Sequence, residues 1–231
     1  MREIVLDTET TGLDPLDGHR LVEIGCIELI NRIPSGQTFH SYFNPERSMP
    51  AEAFAIHGLS DEFLKDKSFF AEVVDELMTF LGDAPLVIHN AAFDIGFLNA
   101  ELERAGRTLI ARERTVDTLL IARRKHPGGS NRLDDLCARY AIDNCRRSKH
   151  GALLDAELLA EVYVELIGAR QAQLVLSRAA VPDRVSGAPM IIRGRPVPLA
   201  VTVTAEEFAA HQAFIATLGD KAIWRDYVNL G

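Results

Sequence analysis

The sequence predicts an α/β fold: a mixed sheet flanked by helices, followed by a linker and a small C-terminal helical tail. Short apolar runs bounded by turn residues come first, and strands then alternate with segments of helical spacing. Periodicity fades after about residue 177. The 231 residues leave room for one sizeable domain and a smaller piece.

Ile4, Val5 and Leu6, ended by the turn-prone Thr11-Gly12-Leu13-Asp14-Pro15, predict a strand over residues 3–8. A second strand is expected over 21–29 and a third over 38–43. Pro34 and Gly36 make 31–37 read as the loop of an antiparallel meander. Ser68 is the expected N-cap of a helix over 69–81, in which Phe70, Val73, Val74, Leu77 and Leu81 follow helical spacing. A buried strand over 85–88 precedes a helix over 94–105. Helices over 117–124, 132–140 and 153–167 complete the second half. Residues 177–203, with Pro182, Gly187, Pro189, Gly194 and Pro196, read as a linker, with a short strand at 190–192. Thr204-Ala205-Glu206-Glu207 then starts a last helix in capping-box fashion, with Phe208, His211, Phe214, Ile215 and Leu218 available for packing. So few apolar groups cannot support an independent fold, so residues 204–231 are expected to dock on a partner.

A formal charge of −8 argues against a protein that coats nucleic acid by bulk attraction. It leaves nucleases open, because carboxylates that hold metal ions count here as bare negatives. Cys26, Cys137 and Cys145 are odd in number and form no C-x-x-C pair, which suits a reduced compartment. The N-terminus carries charges where a signal peptide needs an apolar run, and no stretch approaches the length of a membrane span. The expectation is a cytoplasmic protein.

Three local patterns carry chemistry. Asp7 and Glu9 are two apart on a strand, so both side chains leave the same face. A divalent cation converts their repulsion into coordination, and hard oxygen ligands suit Mg²⁺ or Mn²⁺; taken alone, such a pair is an exposed strand end with solvated acids. His89-Asn90-Ala91-Ala92-Phe93-Asp94 lies where a buried strand passes into a helix, the place at which open α/β sheets bind ligands. Alone, Asp94 reads as the N-cap of its helix, His89 as a core or supporting residue and Phe93 as packing. His150-Gly151-Ala152-Leu153-Leu154-Asp155 opens another helix, offering a further ligand and an imidazole able to accept a proton near neutral pH.

In order and spacing, Asp7-x-Glu9, Asp94 and His150-x-x-x-x-Asp155 resemble the three motifs of the DEDDh 3′→5′ exonucleases, whose fold is RNase H-like. The likeness covers roughly residues 2–169, and all five positions hold the required residue type. It implies two divalent metal ions, Mg²⁺ or Mn²⁺, bridged by Asp7, with Glu9 and Asp155 on one of them and Asp94 supporting the pair through water. It implies His150 as general base. His57, followed by Gly58, resembles the family position beside the 3′-terminal nucleotide; Thr10 and Thr11 offer it a backbone N–H or hydroxyl, or merely shape the turn. Arg146, Arg147 and Lys149 either contact the phosphate chain or form a solvated basic loop.

Within this superfamily, residues 7–12, 56–59, 89–94 and 136–140, with Ala209-Ala210-His211 and Trp224, resemble the epsilon-type proofreading subunits of bacterial DNA polymerase III. The resemblance implies removal of mispaired nucleotides from a DNA 3′ end during replication. It divides the chain into an exonuclease domain (1–170), a clamp-binding peptide (171–176), a linker (177–203) and a tail (204–231) that binds the polymerase catalytic subunit. Gln171, Leu174 and Leu176 resemble the peptides that dock on the bacterial sliding clamp; the competing reading is a helix continuation with local packing. Two other functions stay open: an exoribonuclease of the RNase T or oligoribonuclease kind, and a non-catalytic scaffold joining clamp to polymerase.

Overall fold

The computed structural model describes residues 1–145, 149–169 and 203–218. It divides the chain into two compact units, Met1–Val175 and Leu176–Gly231. The strands are β1 (Arg2–Thr10), β2 (Leu21–Ile30), β3 (Ile33–Tyr42), β4 (Leu86–Ile88) and β5 (Thr115–Asp117). The helices of the first unit are α1 (Ala51–His57), α2 (Asp61–Leu64), α3 (Phe70–Leu81), α4 (Ala91–Arg104), α5 (Thr118–Lys125), α6 (Leu133–Tyr140) and α7 (Ala152–Leu166). The sheet order is β3-β2-β1-β4-β5, antiparallel among the first three strands and parallel from β1 through β4 to β5. This is the mixed α/β sheet the sequence predicts.

Alternation along β1 assigns the layers. Ile4 and Leu6 point into a core shared with Phe70, Val74, Leu77 and Leu81 of α3 and Phe97, Leu98 and Leu102 of α4. Val5 points the other way, onto Ala156, Leu159, Ala160 and Tyr163 of α7. A third cluster joins α5 and α6 to the outer side of α7 through Ala122, Leu136, Cys137, Leu158 and Val162. The small Ala156 and Ala160 bring α7 close to the sheet, and Tyr163 Oη donates a 2.8 Å hydrogen bond to buried Glu3.

Several sequence expectations need correction. Residues 33–37 are strand, not loop: the chain reverses at Asn31 and Arg32, whose φ of 51° and 68° suit a tight hairpin. Pro34 and Gly36 are accommodated because β3 is a sheet edge, where the missing donor breaks no ladder. Ser68 is not the cap of α3. Phe69 occupies that position, and its N–H donates to the Glu72 carboxylate at 2.9 Å. Asp94 does not cap α4 either; Asn90 holds that place in a left-handed conformation, leaving Asp94 buried within the first turn. The short α1, α2 and β5 were not anticipated.

In the second unit α8 (Ala205–Thr217) starts as expected, with Glu207 N–H donating to Thr204 Oγ1 and Thr204 N–H to Glu207. Of its packing candidates Ile215 is buried, whereas Phe208, Phe214 and Leu218 are exposed. Residues 171–176, including Gln171, Leu174 and Leu176, and the expected strand at 190–192 lie outside the described residues, as do Trp224 and Tyr227. No helix of the described residues is long and apolar enough to cross a membrane.

Candidate active site

One cleft of about 830 Å³ at the end of the sheet is lined by Asp7, Glu9, Asp94, His150 and Asp155 together. Three elements deliver them. Asp7 and Glu9 leave the C-terminal end of β1 on the face covered by α7. Asp155 sits in the first turn of α7, and His150 precedes that helix. The ligand atoms of Glu9, His150 and Asp155 lie within 4.8 Å of one another, and the His150 Nδ1 to Asp155 Oδ2 distance is 3.1 Å. Asp155 is buried, whereas the His150 side chain is about half exposed, at 47%. The imidazole is therefore held by Asp155 while about half of its side chain faces solvent.

Asp94 arrives from α4, on the opposite face. Thr8, the residue between the two strand acids, donates from Oγ1 to Asp94 Oδ1 at 2.7 Å. Burial pushes the Asp94 carboxyl up to about 7, against the pull of the Thr8 hydroxyl and nearby backbone N–H groups. A carboxyl so far from water is favoured in its charged form by a nearby positive charge, which a cation shared with the neighbouring acids would supply. The donor set is all carboxylate with one imidazole, which suits hard divalent ions.

A second pocket of about 550 Å³ shares Thr8, Glu9 and Phe93 with the cleft and extends over Thr10, Thr11, Gly12, Ile56 and His57. His57 Nδ1 accepts the Leu59 N–H at 3.0 Å, which leaves the ring proton on Nε2. That nitrogen is buried beside the Thr10 backbone, and burial holds the ring below its ordinary pKa against the pull of that backbone. Thr10 lines the pocket, but its hydroxyl donates to Gly12 O at 2.6 Å, and the Thr11 hydroxyl accepts the Arg20 N–H at 2.9 Å. Both hydroxyls therefore shape the turn.

The opposite cleft wall was missed from sequence. It comprises Leu119 and Arg123 of α5 with Gly128, Gly129, Asn131 and Arg132. His89 braces it: Nε2–H donates to Asn131 O at 2.9 Å, so Nδ1 accepts from Thr118 Oγ1 at 2.9 Å when the ring is neutral. Burial favours that neutral form. Asn131 in turn donates to Gly129 O at 2.9 Å, closing the turn. The two arginines are the cations among the residues lining an otherwise acidic cleft, Arg123 from the basic last turn of α5 and Arg132 from the N-cap of α6. Arg146 and Arg147 lie outside the described residues, and Lys149 lies over the Phe54 ring with Nζ 5.0 Å from its centroid.

Comparison with known proteins agrees with this geometry. A family model described as "Exonuclease" (RNase_T) matches residues 4–163. The structure of Exonuclease X in complex with 5′ overhanging duplex DNA superposes with a TM-score of 0.55 at 22% identity, covering 72% of this chain and 91% of that one. The nuclease domain of 3′hExo, a DEDDh family member bound to rAMP, superposes with a TM-score of 0.60 at 16% identity, covering 73% and 92%. The fold and the cleft define an exonuclease of the DEDDh type, a class that works with divalent metal ions.

Among sequence relatives, DNA polymerase III subunit epsilon of Rickettsia conorii is 48% identical over 94% of this chain and 96% of its own length. The subunit of the same name from Escherichia coli K12 is 43% identical over 97% of each. The chain belongs to the family of DNA polymerase III epsilon subunits.

Proposed function

We propose that this chain is a 3′→5′ exonuclease that removes mispaired nucleotides from DNA 3′ ends during replication, as the proofreading subunit beside the replicative polymerase. The observation that carries the reading is the convergence of Asp7, Glu9, Asp94, His150 and Asp155 on one cleft, in a chain that matches epsilon subunits over almost its whole length. Asp7, Glu9 and Asp155 would hold two divalent cations, Mg²⁺ or Mn²⁺, and Asp94 would support them. When bound, such a pair supplies Lewis acidity for an in-line displacement at the terminal phosphodiester.

The protein groups do the rest. His150 Nδ1 is engaged by Asp155, so Nε2 accepts the proton of the attacking water. The buried His57 N–H and the Thr10 backbone receive the terminal nucleotide in the adjoining pocket. Arg123 and Arg132 meet the phosphates that follow it. A mispaired end costs less to unpair than a matched one, so a site that accepts frayed single strand prefers errors without reading sequence.

In the cytoplasm, the tail at 204–231 binds the polymerase catalytic subunit, and Gln171, Leu174 and Leu176 bind the sliding clamp. Tethering gives a high effective concentration at the primer end and suits an acidic chain with little bulk affinity for DNA. The exposed Phe208, Phe214 and Leu218 support a docking role for the tail. The test is digestion of a 3′-mismatched DNA primer with Mg²⁺, with and without Asp7→Ala, beside RNA of the same sequence. Mg²⁺-dependent release of deoxynucleotides that Asp7→Ala abolishes is expected. Preference for RNA, or release of no nucleotide, overturns the reading.

A further inference from the structure

Gly25 lies in β2 directly opposite Asp7 of β1. Antiparallel partners turn their substituents to the same face, so a side chain at Gly25 would share the face of Asp7, Glu9 and α7. None is there, and the start of α7 fills the space. A β-carbon added to Gly25 would overlap the backbone nitrogen and Cα of Leu153 and the carbonyl carbon of Ala152. All three are main-chain atoms of one helical turn, so no flexible side-chain end can swing aside.

Backbone conformation does not account for the glycine. Gly25 is absent from the positive-φ residues, so its dihedrals are open to any amino acid. A glycine inside a strand costs about 0.5–1 kcal/mol relative to alanine. The close approach of α7 is what requires it. Two residues beyond Leu153 stands Asp155, whose carboxylate reaches Glu9 and His150. Carbon atoms pack at about 3.5–4.0 Å, so a β-carbon at Gly25 would lift this turn by on the order of 1 Å.

The other side of the segment is held as well. His150 N–H donates to Ile56 O of α1 at 3.3 Å, and Lys149 lies against Gly58 and the Phe54 ring. The segment bearing His150 and Asp155 is therefore seated between β2 and α1, and lifting it off β2 at Gly25 also disturbs its contacts with α1.

We propose that Gly25 is a positioning residue for the reaction. Its missing side chain sets the height of α7 over the sheet, and so the separation of Asp155 and His150 from Asp7 and Glu9. The inference rests on the assignment of those four residues to the active site.

The test compares the full-length chain with Gly25→Ala by Mn²⁺ binding in electron paramagnetic resonance, nucleotide release and thermal melting. Gly25→Ala is expected to fold, to bind Mn²⁺ more weakly and to lose about 10- to 100-fold in kcat, with KM for a single-stranded 3′ end unchanged. Leu77→Ala, in the core on the far face, serves as the control for lost stability. It should melt earlier and keep wild-type Mn²⁺ affinity and kcat below its melting range. Should Gly25→Ala not fold, Ala156→Val, which lifts the same helix one turn further along, is expected to give the same loss. Wild-type Mn²⁺ affinity and kcat in the folded variant used overturn the proposal, as does an equal loss in Leu77→Ala. A wild-type chain that binds Mn²⁺ but releases no nucleotide overturns the functional reading alone, because the Mn²⁺ comparison still decides the role of Gly25.

Discussion

The Thr8 hydroxyl and the Asp94 carboxylate are joined by a 2.7 Å hydrogen bond across 86 residues of sequence. The bond ties the residue between the two strand acids to the acid on α4, so one short contact aligns the strand and helix that carry three of the four carboxylates.

Thr8→Val keeps the shape of the side chain and removes the donor. The metal-free protein is expected to lose about 1.5–3 kcal/mol, the worth of a hydrogen bond to a charged group. Thr8→Ser should retain most of it. Urea unfolding in the presence of a chelator measures both, and equal stability of Thr8→Val and wild type would show that the bond contributes nothing.

His150→Ala is expected to lower turnover by about 10²–10⁴-fold at saturating Mg²⁺, the usual share of a general base. Mn²⁺ binding should persist, because the carboxylates remain. Near-wild-type turnover would remove His150 from the mechanism.

Acid should weaken the fold through two histidines drawn out of water, His57 buried and His89 half-buried. Burial holds His89 and His57 below their ordinary value of 6.5. A ring neutral in the fold but free to charge once unfolded contributes stability that is complete above about pH 6.5. It is lost as the pH falls through the depressed value. His89→Gln, which can still donate to Asn131 O, should flatten the acid side of the stability profile. An unchanged slope in chemical denaturation would place the acid sensitivity elsewhere.

Removing residues 178–231 should abolish co-purification with the polymerase catalytic subunit while nucleotide release persists. The nuclease elements all lie within Met1–Val175. Retained co-purification with intact activity would contradict docking through the tail.

What the sequence makes legible follows from how local each cause is. Strand parity alone puts Asp7 and Glu9 on one face, and the spacing from His150 to Asp155 describes one helix start. Asp94 is harder, because its environment comes from the Thr8 hydroxyl and from the packing of α4 against the sheet, both tertiary. The brace from His89 to Asn131 spans 42 residues and is invisible to any local pattern. β5 has three residues and exists because β4 supplies a parallel partner. Pro34 and Gly36 misled because their usual meaning lapses at a sheet edge. Gly25 carries no side chain to read, and only the backbone of α7 above it gives it significance.

The acids of the cleft are drawn from both sides of the sheet, Asp94 with one hydrophobic core and Asp155 with another. A chain with either core melted would hold an incomplete set of these acids. Completion of the fold is thus itself the safety catch on a degradative enzyme.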